Sequence, residues 1–429
     1  AAPAEPEVLG PAAAAAALAA QQYLGARVVE LEESPVGVAD DLQLKFVQVV
    51  FRHGARAPLT EDFGAHDLKW DYCQPAYSPV PVEVKGEDGS ERPRSRSDER
   101  QKKVTFQGGC RMGQLTNMGQ LQALQLGGWL RQRYSLDHFA GFLPADYSPQ
   151  AIKVRSTNIS RTLDTVTGVL TGLFPSSRSP ILIETCDDTK EWLYPNHRNC
   201  QRLQQLMAAT KKGLESKRKE NEYLSGLEAR LREAVKLPKD GEEKKDLRFV
   251  AMYDVAKSYK FHTGQVPPHY EMGEDLLKEL ERVAVEVMKA FVAPDPGSQR
   301  EMLSLSIGPV VEDLLAGMRS AAAGTGGDAK MQLYSGHDTT LMPLLVALGY
   351  KLENWPPFAS NLIFETFASK SGRSVVKIYF NGDLLRTVSL DDLEAELGPL
   401  VLSTRDYRAK CEAFKQETPQ LTGVSNGVD

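Results

Sequence analysis

Six short apolar runs punctuate the 429-residue chain: LQLKFVQVVF (42–51), IKVRST (152–157), ILIET (181–185), MQLYS (331–335), NLIFETFA (361–368) and SVVKIYF (374–380). The first is nearly continuous in apolar and β-branched residues, the pattern of a strand covered on both faces. Between some of these runs the period changes. Met118, Leu121, Leu124, Leu130 and Tyr134 recur near every 3.6 residues, and so do Ile159, Leu163, Val166, Val169, Leu170 and Leu173. Pro175 stands where it would stop the second helix. Strands alternating with helices predict an α/β fold, with a mainly parallel central sheet flanked by helices.

The stretch 186–330 departs from that alternation. It is polar and charged, with few strand runs, and reads as a helical cap inserted into an α/β core made of 41–185 and 331–415. Its segment KKGLESKRKENEYLSGLEARLREAVK (211–236) is expected to be a solvated helix face. Residues 83–107 lack periodicity and read as an exposed loop, in which Arg92, Arg94, Arg96, Arg100, Lys102 and Lys103 are diluted by Glu91, Asp98 and Glu99. Residues 1–40 are expected to be a tail, disordered or the remnant of a targeting segment. It contains PAAAAAALAA (11–20), but Glu5 and Glu7 precede that run and Arg27 is the only base nearby, a poor match to a transit peptide. Residues 416–429 read as a second disordered tail.

Composition narrows the function classes. The chain is 41% hydrophobic and 25% charged with a formal net charge of −6. That is ordinary globular usage, long enough for two or three domains. No whole-molecule field favours nucleic acid, and aromatic residues do not interleave with basic ones, so no nucleic-acid partner is expected. No run approaches about 18 apolar residues, so no membrane span is expected, which leaves transient contact with a membrane surface open. Five scattered cysteines, Cys73, Cys110, Cys186, Cys200 and Cys411, form no C-x-x-C pair. They are expected to be mostly reduced thiols, with one or two disulfides as the alternative in a secreted form. His66, His138, His197, His262 and His269 lack metal-like spacing, so neither metal nor cofactor is expected.

The chemistry concentrates in VVFRHGARAPL (49–59). Arg52 and Arg56 directly follow a core strand, and an arginine there needs an anion, internal or bound. Loops beyond the carboxyl ends of parallel strands are where ligands bind in this architecture, and a guanidinium pair suits phosphate. His53 lies between them. Flanking cations disfavour imidazolium, and a neutral imidazole is a nucleophile. Gly54 lets backbone and substrate approach closely, and Pro58 fixes the exit turn.

R-H-G-x-R-x-P fixes five positions, a chance match on the order of once in a few million. With it stand GQLTNMG (113–119), VRSTNISRTL (154–163), YSGHDTT (334–340) and WPPFASNL (355–362). On these motifs, spanning roughly 42–415, the chain resembles the histidine acid phosphatases. VQVVFRHGAR, WPPFA and YRAKC resemble most closely the subgroup acting on lysophosphatidic acid, a mitochondrial enzyme. The resemblance implies that His53 takes the phosphoryl group as a phosphohistidine and that Asp338 protonates the leaving oxygen. Arg52, Arg56, Arg155 and His337 would hold the phosphate. Asp338 must then be protonated, and a bound dianion would raise its pKa. Asn158 reads as an N-cap beside Arg155. The N-x-S sequon it begins is expected to carry no glycan, since one would block the site. In secreted prostatic-type relatives the counterpart of Cys200 pairs with a cysteine where this chain has Asn361, a departure that agrees with a reducing compartment. The resemblance implies a mitochondrial location, with secreted or lysosomal as alternatives. Trp355, Pro356, Pro357 and Phe358 are either a wall for the acyl chain or a rigid turn. Rival readings are a broad acid phosphatase or phytase, a mutase, and an inactive scaffold that binds phosphate or lipid head groups.

Overall fold

The computed structural model describes residues 42–236, 248–293, 296–370 and 372–413. The expectations for the 1–40 and 416–429 tails lie outside the described residues.

Eight strands form one mixed sheet. They are β1 (Gln43–Arg52), β2 (Val82–Gly86), β3 (Ile152–Ser156), β4 (Ile181–Thr185), β5 (Met331–Gly336), β6 (Asn361–Ala368), β7 (Ser374–Phe380) and β8 (Asp383–Ser389), in the order β2-β4-β3-β5-β1-β6-β7-β8. The five strands from β2 to β1 are parallel, and β6, β7 and β8 continue antiparallel. The six apolar runs are six of these strands. The other two were not legible as runs: β2 (VEVKG) alternates apolar and polar residues at the sheet edge, and β8 (DLLRTVS) has no buried residue. Register places the site. Arg52 on β1 is opposite Gly336 on β5, and Ser156 on β3 is opposite Ser335, so three strands deliver their following residues to one carboxyl edge.

The described residues hold eleven α-helices: α1 (Arg96–Gln101), α2 (Asn117–Arg131), α3 (Ser160–Leu173), α4 (Gln201–Glu220), α5 (Glu222–Ala234), α6 (Phe249–Thr263), α7 (Glu274–Val292), α8 (Pro296–Ala322), α9 (Asp338–Ala347), α10 (Leu390–Leu397) and α11 (Thr404–Ala413). Helices α2 and α3 cover one face, where Leu126, Leu130, Val166 and Val169 join Val49, Phe51, Val154 and Leu333 in one core. They cross so closely that a Cβ on Gly127 would lie 2.0 Å from the carbonyl oxygen of Val169. The other face packs under α8, α9 and α10, with Ile307, Val310, Leu341 and Leu393 against Val50, Tyr334 and Phe364.

Two expectations about organisation change. The described residues of 186–330 are mostly helical, but they are not all cap, because α8 lies on the sheet. A separate core of α5, α6 and α7 packs instead on the 57–73 and 104–112 segments. The supposed loop 83–107 holds most of β2 and all of α1. Residue Asp98 of α1 is 4% exposed and accepts from Ser160 N (2.8 Å) and Ser160 Oγ (2.6 Å). Asp98 therefore caps α3. Asn158 does not: its amide donates to Pro93 O and its oxygen accepts from Arg92. The Asn158 side chain is thus committed inside the protein.

The cysteines also differ from expectation. Cys73 is bonded to Cys110 and Cys200 to Cys411, leaving Cys186 as a buried thiol. Cys200 thus has a partner 211 residues away, and Asn361 at the usual partner position removes no bridge. Closing so long a loop restricts the unfolded chain, so replacing both Cys200 and Cys411 by serine should lower the unfolding free energy by about 4 kcal/mol. Urea midpoints of the unmodified chain and the double-serine variant, both without reductant, measure it; identical midpoints would exclude a stabilising bridge.

Candidate active site

The backbone after β1 is held by hydrogen bonds to both backbone and side chains. His53 N donates to Gly336 O, Ala359 N donates to His53 O, and Gly54 N donates to Thr165 Oγ1. Ala55 N donates to Gln122 Oε1, and Ala55 O accepts from the amide and hydroxyl of Thr116. A Cβ on Gly54 would lie 2.3 Å from Gly119 O. The glycine is therefore needed for contact with the first turn of α2, and the close approach is between two stretches of backbone.

This frame fixes the His53 ring. Nδ1 lies 2.9 Å from Gly54 O; a carbonyl can only accept, so Nδ1 carries the proton and Nε2 keeps its lone pair. Burial, then the charges of Arg161, Arg52 and Arg56 and the neighbouring His337, hold the His53 pKa well below 6.5. The ring lies on the wall of a cavity of about 760 Å³ that Arg52, Arg56, Arg161, His337 and Asp338 also line.

Four of the expected residues converge with His53 on this cavity. Arg52 Nη2 is 2.8 Å from Asp338 Oδ2, its Nη1 donates to Pro356 O, and its guanidinium sits 4.4 Å over the Phe358 ring. Arg56 Nη2 is 2.8 Å from Asp254 Oδ1. The Nε–H groups of Arg52 and Arg56 are buried without a partner. His337 has its ring centroid 5.6 Å from that of His53. Its Nδ1 accepts from Arg161 at 3.4 Å, so its Nε2–H donates to Thr157 Oγ1 at 3.0 Å.

Asp338 is held as a carboxylate here, whereas the protonated acid is expected beside a bound phosphate. Oδ2 accepts from Arg52 and from Trp355 Nε1 (2.9 Å), and Oδ1 accepts from Thr339 N (2.9 Å). Burial pushes its pKa up, but Arg52, Arg56, the Trp355 hydrogen bond and His337 together hold it below the usual carboxylate range.

Arg155 is the residue the structure does not bring to the site. It is the last residue but one of β3, its guanidinium tied to Glu191 (2.9 Å), to Glu87 and to Cys186 Sγ and lying 5.2 Å from the centre of the Trp192 ring. It is a salt-bridged strand-end arginine. Arg161, six residues on in the first turn of α3, lines the cavity instead. The signal was available in VRSTNISRTL: the second arginine follows the strand-to-helix turn, and the first helical turn faces the carboxyl edge of the sheet. Asp254 on α6, which pairs with Arg56, had no such signal.

Other expected residues fall around this centre. Trp355, Pro356, Pro357 and Phe358 all line the cavity; Trp355 holds Asp338, and Pro356 and Phe358 hold Arg52. Arg96 and Arg100 line its wall, whereas Arg94 pairs with Glu99, and Arg92 with Asp98. His262 is fixed between Ser258 O and Thr116 Oγ1, and burial pushes its pKa down to about 4.

The sequence was compared with known proteins. It is 31% identical over 351 residues to lysophosphatidic acid phosphatase type 6 of Mus musculus, covering 80% of this chain and 79% of that one. The Homo sapiens protein of the same name is 32% identical over 358 residues, covering 80% and 78%. Among solved structures, Hafnia alvei phytase in its apo form superposes with a TM-score of 0.57 at 16% identity over 86% of this chain and 99% of that one. A Bifidobacterium longum multiple inositol polyphosphate phosphatase complexed with phosphate gives 0.57 at 12% identity, over 88% and 96%. These two share the fold. A family model for the histidine phosphatase superfamily, branch 2, matches residues 43–381, from the first residue of β1 to just beyond β7. So long a match, with relatives above 30% identity over most of their length, makes this chain a member of that superfamily.

Proposed function

We propose that the chain hydrolyses phosphomonoesters by passing the phosphoryl group to Nε2 of His53, and that its substrate is lysophosphatidic acid, released as monoacylglycerol and phosphate. The observation that carries this reading is the hydrogen bond from His53 Nδ1 to Gly54 O: it leaves Nε2 as the unprotonated nitrogen of a residue that lines one cavity with Arg52, Arg56 and Arg161. Those guanidiniums suit a phosphoryl group whose charge spreads over its equatorial oxygens. In the first step Nε2 forms a bond to phosphorus as the ester P–O bond breaks, and the leaving oxygen takes a proton from Asp338. In the second, water attacks phosphorus, Asp338 takes its proton, and the P–N bond breaks. Asp338 becomes an acid only when substrate draws Arg52 away from it. The arriving dianion competes for that guanidinium and raises the carboxyl pKa as it does so.

Lysophosphatidic acid is favoured by the relatives that bear its name and by an apolar side of the same cavity, formed by Met288, Phe291, Val292, Leu352 and Phe380. The second reading, a broad acid phosphatase or phytase, draws on Arg96, Arg100, Arg248 and Lys257 lining the cavity. The two disulfides favour an oxidising space, whether within the mitochondrion or in the secreted or lysosomal alternative. Specificity constants decide the substrate. With each buried methylene contributing about 0.8 kcal/mol, burial of only four or five gives lysophosphatidate an advantage of several hundredfold over glycerol 3-phosphate. Equal constants for those two, or a preference for phytate, would reject the lipid substrate.

A further inference from the structure

The arginines of the R-H-G-x-R element are each clamped by a carboxylate: Arg52 by Asp338 and Arg56 by Asp254, both at 2.8 Å. Asp338 has a task in the proposed reaction; Asp254 has none. It comes from α6 in the helical insertion, and its Oδ2 also accepts from Leu59 N at 2.9 Å, so both oxygens hold the segment that follows His53. Its side chain is 16% exposed against 3% for Arg56, and it lines the cavity with His53 and Arg52.

We propose that Asp254 is a positioning residue that acts through Arg56 to set how tightly the site holds phosphate, so that inorganic phosphate leaves after each turnover. The three guanidiniums of Arg52, Arg56 and Arg161 are opposed by two carboxylates. Without Asp254 one more positive charge would face the dianion. A phosphate bound to Arg56 shares that guanidinium with a carboxylate fixed by a second hydrogen bond, and like charges a few ångströms apart in a partly desolvated site repel. The arginines thus arrive oriented, and the grip on product is weakened. Its bearing on turnover rests on the phosphatase reading above, but its bearing on phosphate affinity does not.

Calorimetric titration of the full chain with inorganic phosphate tests it. Asp254→Asn is nearly isosteric but loses the charge, and its single oxygen accepts from Leu59 N or from Arg56, not from both; its Kd for phosphate should fall about tenfold. Asp254→Glu keeps the charge and should stay near the unmodified Kd. In turnover of p-nitrophenyl phosphate, Asp254→Asn should lower KM and kcat together as product lingers. A merely structural grip on Arg56 predicts the reverse, a raised or unchanged Kd in the Asn variant, and that result would overturn the proposal. Should the Asn variant melt below the assay temperature, Asp254→Ser is titrated with the same criterion. Tighter phosphate in the Asn variant together with undiminished turnover by His53→Ala would sink the catalytic reading and leave this one standing. No phosphate binding by the unmodified chain would remove both.

Discussion

Replacing His53 by alanine is expected to abolish the phosphoenzyme and to lower kcat by on the order of 10⁴-fold or more, the loss typical of a removed nucleophile. Arg52, Arg56 and Arg161 would remain, so phosphate binding should survive, and Ki for inorganic phosphate separates lost chemistry from lost folding. The pH dependence carries a second signature. Burial and the three arginines keep the imidazole neutral well below pH 6.5, so the nucleophile is not lost as the solution becomes mildly acidic. The alkaline limb of kcat/KM should then reflect the proton required by Asp338, whose pKa in the free protein is held down by Arg52. Acid-quench capture of phosphoryl label is the direct measurement. Label retained by a folded alanine variant at the unmodified level would exclude His53 as the acceptor.

The depressed histidine also bears on stability. A neutral buried His53 or His337 takes up its proton only when unfolded, so stability is full above the unfolded pKa near 6.5 and declines as the pH falls from there toward the depressed folded value. Substrate or phosphate opposes that decline, because ligand binding adds to the folded state alone. An acid phosphatase of this construction is expected to be less stable empty than loaded at the pH where it works.

What could be read from the sequence follows burial and locality. Strands β1, β5 and β6 are almost wholly buried and read as unbroken apolar runs, whereas β2 and β8 are half-exposed and their strand character comes from pairing with neighbours. Local chemistry was legible too: Arg52, His53 and Arg56 lie within five residues, and His337 and Asp338 are adjacent. What depended on long-range meetings was not. Cys200 and Cys411 are 211 residues apart, Leu59 and Asp254 are 195 apart, and the acid that caps α3 comes from α1, 62 residues before Ser160. No periodicity encodes such pairs. The error at Arg155 is of another kind. Both arginines of RSTNISR stand beside the carboxyl edge of the sheet, and choosing between them needs the position of Glu191, whose carboxylate occupies the first.

Arg155 and Arg161 therefore give the second large effect, with opposite signatures. Arg155→Met removes the charged partner of Glu191, which is 1% exposed and keeps the backbone N–H groups of Trp192 and Leu193 and the Cys186 thiol as donors. Breaking a buried pair from one side costs about 3–5 kcal/mol, because a desolvated charge is left uncompensated. That variant should melt earlier yet hold inorganic phosphate as the unmodified chain does when assayed below its transition. Arg161→Met removes a guanidinium from the cavity wall and the donor to His337 Nδ1, while Asp98 still caps the helix through Ser160. Its kcat/KM should fall by roughly 10²–10³-fold, as expected for loss of one preorganised donor to a developing anion, with a small change in stability. The loss should include a weaker Ki for phosphate, since Arg161 faces the anion in both ground and transition states. The comparison turns on one crossing. If Arg155→Met weakens phosphate as much as Arg161→Met while its fold is intact, the strand-end arginine is the ligand after all, and Glu191 must yield it when substrate enters.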